Sequence, residues 1–131
     1  MKGPARRAMV QLRAGKRCEY CGLPDNTDVA FHVDHITAQK HGGSDKAENL
    51  AYACSHCNLF KGSDLTSLDP STTTIVALHN PRTDDWDSNF QLIDGTIFGL
   101  TPCGRATVEL LRFNDDLRVE LRRELIRNGT W

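Results

Sequence analysis

Two Cys-x-x-Cys pairs constrain this chain more than any other feature of its sequence. Cys18 and Cys21 form the first pair, and Cys54 and Cys57 form the second. Four thiolates in two such pairs match a tetrahedral structural zinc site, which is closed and leaves no position for substrate. The stretch between the pairs is longer than in a simple zinc ribbon. We therefore expect one zinc ion per chain, clamping the base of a folded insert.

Two disulfides are the alternative use of the same cysteines, and the redox compartment decides between them. Residues 1–10 contain no apolar stretch that resembles a secretory signal. No segment approaches the roughly 20 apolar residues that are needed to cross a bilayer. We expect a cytoplasmic protein with no membrane partner, in which reduced cysteines bind metal. The fifth cysteine, Cys103, is expected to be an unpaired thiol.

Charge is distributed unevenly along the chain. The formal net charge of -1 argues against a general polycationic binder of nucleic acid. Residues 1–17 nevertheless contain only basic charged side chains: Lys2, Arg6, Arg7, Arg13, Lys16 and Arg17. Two interpretations fit this segment equally well. It is either an arm that follows a phosphate backbone or a solubilising first helix, for which Ala5–Gly15 has the right pattern.

The sequence between and after the cysteine pairs predicts two strands and a helix. Val29–Ile36 and Asn49–Cys54 have strand character, and a polar loop over 37–48 separates them. Ser55 is a good N-cap for a helix that continues to Lys61. The predicted order is strand, loop, strand and helix, with the helix beginning inside the second cysteine pair.

Asp34, His35 and Asn58 form a second group of candidate functional residues. Carboxylate and amide oxygens suit Mg²⁺ or Mn²⁺, and a histidine with an unperturbed pKa of about 6.5 can accept a proton near neutral pH. Such a set suits metal-assisted hydrolysis of a phosphodiester. Strict alternation would place Asp34 and His35 on opposite faces of a strand. We therefore expect the strand to end, twist or bulge at this point.

These residues resemble the motif of the HNH endonuclease family, whose core lies between two zinc knuckles in many members. The matching pieces occur in the family's order: Cys18-x-x-Cys21, Val33-Asp34-His35-Ile36, Gly42-Gly43, Glu48-Asn49-Leu50 and Cys54-x-x-Cys57-Asn58-x-x-Lys61-Gly62. The resemblance implies an α+β fold in which a ββα-metal (His-Me finger) core is held by a four-cysteine zinc site.

The resemblance also implies residue roles. His35 is the general base of a one-metal mechanism, and Asn49 is the central asparagine that fixes the loop between the strands. Asp34 and Asn58 are ligands of a catalytic Mg²⁺ or Mn²⁺ ion. Asn58 stands where the family name has its last histidine, which suits an ion that prefers oxygen ligands.

Lys61 and His32 are weaker candidates for contact with substrate. Lys61 follows Asn58 by one helical turn, which is close enough to pair with a phosphate. His32 shares the predicted strand face of Asp34 and is in reach of the metal or a phosphate. The alternatives are an ordinary surface lysine and a structural histidine.

The implied activity is hydrolysis of DNA by an endonuclease or nickase. The alternative function is a non-catalytic zinc module that binds nucleic acid or a protein. One active site per chain means that cutting both strands requires a homodimer or two successive events. The resemblance is compatible with a role in a larger phage, defence or mobile-element system.

The expected domains are a basic arm or helix at 1–17, the HNH core at 18–66 and a C-terminal extension at 67–131 that packs on the core. The extension is similar to that of small stand-alone bacterial HNH proteins through Asn80-Pro-Arg82, Trp86, Phe90 and residues 99–107. Residues 63–70 are expected to be a linker.

Within the extension, Asp94-Gly95 predicts a hairpin over about 90–99. Helices are predicted at about 102–113, where Thr101 and Pro102 form a start signal, and at about 115–127. The last helix is expected to direct its leucines inward and its other side chains outward, with Leu117, Leu121 and Leu125 inside and Arg118, Glu120 and Arg122 outside.

Overall fold

The structure is a computed structural model that describes residues 2–131. The chain divides into two compact units, of which the first ends at Ser63 and the second is Asp64–Trp131. Helices and strands are mixed in both units, as expected for the α+β class. Over residues 2–131 the strands form three separate two-stranded sheets. None of the helices described is both long enough and apolar enough to span a membrane.

The first unit confirms the predicted order of strand, loop, strand and helix. It contains α1 (Gly3–Arg13), β1 (Phe31–His35), β2 (Leu50–Cys54) and α2 (Ser55–Lys61). The loop between the strands includes two short 3-10 turns, at Gln39–His41 and Ala47–Asn49.

The strands β1 and β2 are antiparallel, with Asp34 opposite Ala51 and His35 opposite Leu50. Every residue of β2 is buried, because the strand is apolar and is covered by its neighbours. The strand β1 ends at His35, which is one of the outcomes expected from the adjacent Asp34 and His35, and the register up to that residue contains no bulge.

The basic N-terminal segment forms a helix whose arginines bind the rest of the first unit. Arg7 Nη1 donates to the carbonyl of Phe31 at 3.0 Å. Arg13 donates to the carbonyls of Ala47 and Leu50, at 2.9 and 2.6 Å. The predicted helix is therefore confirmed, and two of its arginines attach it to β1, β2 and the loop between them. Contact of this segment with a phosphate backbone stays a prediction.

The N-cap of α2 is Cys54 rather than the predicted Ser55. Cys54 Sγ accepts a hydrogen bond from the backbone N–H of Cys57 at 3.5 Å. Ser55 is already the first helical residue, and its hydroxyl donates to the carbonyl of Ala30 at 2.7 Å. The prediction was wrong because a thiol capped the helix in place of the more usual hydroxyl.

The second unit contains three helices and two hairpins. In chain order they are β3 (Thr66–Leu68), β4 (Ile75–Ala77), α3 (Trp86–Asn89), β5 (Phe90–Ile93), β6 (Thr96–Gly99), α4 (Pro102–Leu110) and α5 (Asp116–Arg127). The prediction of a linker at 63–70 is wrong, because Thr66–Leu68 forms a strand that pairs with β4. The turn of this hairpin is held by the buried Asp69, which Arg105 binds through two nitrogens, each at 2.9 Å.

The hairpin predicted at Asp94-Gly95 is confirmed. Asp94 and Gly95 both have positive φ values, 50° and 80°, as a type I′ turn requires. A side chain at Gly95 would also place its Cβ 2.6 Å from Cγ of Arg123. The predicted cap of α4 is confirmed as well, because Thr101 Oγ1 accepts from Gly104 N at 2.9 Å.

The helix α4 ends at Leu110, three residues earlier than predicted. Arg112 has a φ of 52°, a left-handed conformation that an α-helix cannot continue through.

The prediction for the faces of α5 is wrong for three of its six residues. Leu121 and Leu125 are half-buried and Glu120 is exposed, in keeping with it. Leu117 is 84% exposed, whereas Arg118 and Arg122 are 7% and 2% exposed. Arg118 Nη1 donates to the carbonyls of Leu111 and Arg112, which follow the end of α4. The arginines are buried because backbone carbonyls in a turn need donors, and guanidinium groups supply several each.

Candidate active site

The four cysteines of the two pairs converge as predicted. All four are buried, and their Sγ atoms lie within 4.8 Å of one another. Cys21 Sγ and Cys54 Sγ are 3.8 Å apart. Tetrahedral zinc with Zn–S bonds of about 2.3 Å separates its sulfur ligands by about 3.8 Å. The cluster therefore has the ligand type, number and spacing of a structural zinc site, and its four cysteines are free thiols in the structure.

Local backbone geometry brings each pair together. In the first pair, Cys21 N donates to Cys18 Sγ at 3.5 Å, and Gly22 N donates to the Cys18 carbonyl at 2.9 Å. Gly22 has a φ of 85°, which glycine adopts without strain, so the chain can reverse directly after the second cysteine. The second pair uses the same N–H to sulfur contact between Cys57 and Cys54.

Burial raises the pKa of the Cys18 and Cys57 thiols well above the usual value. The pKa of Cys54 is lowered, chiefly by its hydrogen bond with Cys18. Buried thiols hold their protons unless a cation replaces them, so the cluster favours a bound metal ion that takes up the negative charge.

Asp34 is buried in the first unit, where two donors meet one of its oxygens. Oδ2 accepts from the Tyr20 hydroxyl at 2.8 Å and lies 3.3 Å from Lys61 Nζ. Burial raises the pKa of Asp34, and the Lys61 charge and the Tyr20 hydrogen bond oppose that rise. Over residues 2–131, no side chain or backbone group donates to Oδ1 of Asp34. That oxygen is uncommitted and can act as a ligand.

Lys61 faces inward rather than toward solvent. It is 2% exposed, and its Nζ donates to the carbonyls of Ile36 at 3.0 Å and His35 at 3.3 Å. We expected a lysine placed for a phosphate, and the structure instead gives its ammonium internal partners. The sequence does not reveal this orientation, because a lysine at the end of a helix is usually exposed.

His35 has a partner that the sequence analysis missed. His35 Nε2 donates to Asp45 Oδ1 at 2.7 Å, and Gln39 Nε2 donates to the same oxygen at 3.0 Å. The hydrogen bond with His35 is the main reason that the pKa of Asp45 is lowered. Because Nε2 donates, the neutral ring has its lone pair on Nδ1, which is the nitrogen that can accept a proton. The only signal in the sequence was an acidic residue close after Gly42-Gly43.

Asn49 joins the two sides of the loop between β1 and β2. Its Oδ1 accepts from Thr37 N at 2.9 Å, and its Nδ2 donates to the carbonyls of Thr37 and Ser44 at 2.9 and 2.7 Å. The loop is tight at Gly43, where a Cβ would lie 1.7 Å from the Thr37 carbonyl oxygen. These contacts fix the segment that carries Asp45.

Asn58 lies on α2, one turn before Lys61 and thus on the same side of the helix. Since Lys61 reaches Asp34 and the end of β1, that side of α2 faces the candidate site. In the described part of the chain the Asn58 side chain makes no hydrogen bond, so its amide oxygen is also uncommitted. Asp34 and Asn58 therefore fit the oxygen chemistry of Mg²⁺ or Mn²⁺.

His32 is exposed and has a protein partner. Its Nε2 lies 3.1 Å from Ser55 Oγ. The Ser55 hydroxyl already donates to Ala30, so the histidine nitrogen is the donor of this pair. The contact attaches β1 to the first residue of α2.

The segment that contains these residues matches a known protein family. Residues 18–64 match the family model described as HNH endonuclease. Comparison with curated proteins and with solved structures gives no match. The family match includes all four clustered cysteines together with Asp34, His35 and Asn58. The resemblance noted from the sequence is confirmed over this segment, and residues 18–64 carry the motif of the HNH endonuclease family.

Proposed function

We propose that this protein is a metal-dependent DNA endonuclease or nickase that hydrolyses phosphodiester bonds and leaves 5′-phosphate and 3′-hydroxyl ends. The observation that carries the proposal is the hydrogen bonding of the His35 ring, within a segment that matches an endonuclease family. Its Nε2 is held by Asp45, which leaves Nδ1 to accept a proton. It also stands next to Asp34, a candidate metal ligand.

In the proposed mechanism, His35 Nδ1 takes a proton from the attacking water. The Asp45 carboxylate, hydrogen-bonded to Nε2, stabilises the positive charge that then forms on the ring. Asn49 holds the loop that carries Asp45.

Asp34 and Asn58 would bind one divalent ion, Mg²⁺ or Mn²⁺, in a ββα-metal core. When bound, such an ion polarises the phosphate and stabilises the leaving oxygen. The four clustered cysteines would bind a separate zinc ion, which has no open ligand position and is therefore structural.

The proposal is tested by incubating supercoiled plasmid with the full chain and Mg²⁺ or Mn²⁺. His35→Ala should lower the nicking rate by about 10²- to 10⁴-fold, the usual contribution of a general base. His41→Ala is the matched control, because His41 belongs to the same loop and its Nε2 donates to the Ser63 carbonyl, at 3.0 Å. Equal nicking by wild type and His35→Ala would contradict the proposal.

Tight DNA binding without cleavage in any divalent ion would favour the alternative, a zinc module that only binds nucleic acid or protein. The core at 18–66, the packing of the extension at 67–131, a homodimer, a cytoplasmic location and a phage, defence or mobile-element setting stay predictions.

A further inference from the structure

We propose that Tyr20 and Lys61 are positioning residues for the divalent ion: they hold Oδ2 of Asp34 inside the fold, so that the carboxylate presents Oδ1 to the ion. This inference rests on the proposed function, because it takes Asp34 to be an ion ligand. It adds two residues that act through Asp34 and do not touch substrate.

Burial makes this arrangement specific. Tyr20, Asp34 and Lys61 are 1%, 6% and 2% exposed. Burying a carboxylate or an ammonium alone costs much free energy. The buried charges of Asp34 and Lys61 therefore stabilise each other. The buried Tyr20 hydroxyl donates to Asp34 Oδ2 at 2.8 Å, so Tyr20 is a second partner of the same oxygen. The carboxylate is therefore held by two donors on the same oxygen.

Lys61 also fixes the backbone beside the carboxylate. Its ammonium donates to the carbonyls of His35 and Ile36 while it pairs with Asp34. The Lys61 ammonium, at the end of α2, thus fixes both the orientation of the Asp34 side chain and the position of the backbone where β1 ends. Because Asn58 is on the same side of α2, the contact also sets the distance between the two candidate ligands.

Tyr20 connects the cysteine cluster to Asp34. It stands between Cys18 and Cys21, and its hydroxyl lies 2.8 Å from Asp34 Oδ2. The backbone of this loop is also tied to β2, because Glu19 N donates to the Tyr52 carbonyl at 2.8 Å. A zinc ion that orders the loop would thereby order the carboxylate, without itself approaching the substrate.

Tyr20→Phe is the most direct test, because it removes a single oxygen and retains the ring. Tyr52→Phe is its matched control, since the Tyr52 hydroxyl binds Asp25 rather than Asp34. Mn²⁺ binding to the zinc-loaded full chain is measured without DNA, by electron paramagnetic resonance. Tyr20→Phe should weaken Mn²⁺ binding about tenfold, the lower end of the effect of losing a partner of a metal ligand, and Tyr52→Phe should not.

Zinc content and melting temperature are measured on the same samples, so that loss of the fold is separated from loss of positioning. In plasmid nicking, Tyr20→Phe should lower kcat and leave the KM for DNA unchanged. The proposal is overturned if Tyr20→Phe keeps its zinc and binds Mn²⁺ within about twofold of wild type. It is also overturned if wild type binds no Mn²⁺.

Lys61→Arg is the second test, because it keeps the charge of the pair and changes its geometry. It should retain one zinc per chain and bind Mn²⁺ more weakly than wild type, whereas Lys40→Met, at an exposed lysine of the loop, should match wild type.

Wild type that binds Mn²⁺ but does not nick DNA would contradict the proposed function alone. Unchanged Mn²⁺ affinity in zinc-loaded Tyr20→Phe would contradict the positioning role alone, and unchanged affinity in Lys61→Arg would remove Lys61 from it.

Discussion

At the scale of single residues, the partner of His35 determines which ring nitrogen can accept a proton. Asp45 is exposed, yet it is held by His35 and Gln39, and Arg6 Nη1 approaches it at 3.9 Å. A carboxylate that accepts from Nε2 fixes the tautomer and the orientation of the ring. We therefore predict that Asp45 is a positioning residue for the proposed base.

Asp45→Asn tests this role. The amide oxygen can still accept from Nε2, but the charge that stabilises the imidazolium is lost. We expect the nicking rate to fall about tenfold, less than the 10²- to 10⁴-fold expected for loss of the base itself. The rate is measured from the initial conversion of supercoiled plasmid.

Asp28→Asn is the matched control, because Asp28 is an exposed carboxylate of the same unit. If Asp45→Asn nicks at the wild-type rate across the pH range, Asp45 does not assist His35.

At the scale of elements, local patterns predicted those parts of the fold that local chemistry determines. The type I′ turn at Asp94-Gly95 requires two residues that tolerate positive φ, and the Thr101 cap requires only its own helix. The orientation of Lys61 and of the arginines of α5 depends instead on carbonyls supplied by other elements. Helical periodicity contains no information about those acceptors, so it placed Arg118 and Arg122 on the outside of α5.

The buried arginines of α5 lead to a stability prediction. Arg122 donates to the carbonyls of Gly95 and Phe113 and to Asn114 Oδ1. Arg122→Leu would remove the guanidinium donor from the carbonyls of the buried residues Gly95 and Phe113, so we expect it to lower the free energy of unfolding by about 2–4 kcal/mol. The measurement is urea unfolding followed by tryptophan fluorescence, since both tryptophans lie in the second unit.

Leu117→Ser is the contrasting variant. Leu117 is 84% exposed, so its replacement should change the free energy of unfolding by no more than about 0.5 kcal/mol. If Leu117→Ser lowered the free energy of unfolding more than Arg122→Leu does, Leu117 rather than Arg122 would be the buried residue, as the sequence predicted.

At the scale of the whole molecule, the cysteine cluster joins parts of the first unit that are distant in the chain. Cys18 and Cys21 precede β1, whereas Cys54 and Cys57 lie at the junction of β2 and α2. A unit this small buries a limited apolar core, which leaves its stability marginal. Structural zinc contributes about 10–16 kcal/mol of apparent binding free energy in zinc-finger peptides at neutral pH, so the ion can decide whether such a unit folds.

Zinc removal should therefore abolish nicking by unfolding the first unit. We expect one zinc per chain in protein purified under reducing conditions, and its extraction by a chelator should remove the amide-exchange protection of β1 and β2. Zinc followed by Mg²⁺ should restore both protection and nicking, whereas Mg²⁺ alone should restore neither. Cys57→Ser should lose the zinc, and Cys103→Ser should retain it because Cys103 lies outside the cluster. Metal analysis that finds no zinc, or protection that survives its extraction, would show that the four cysteines do not hold the fold together.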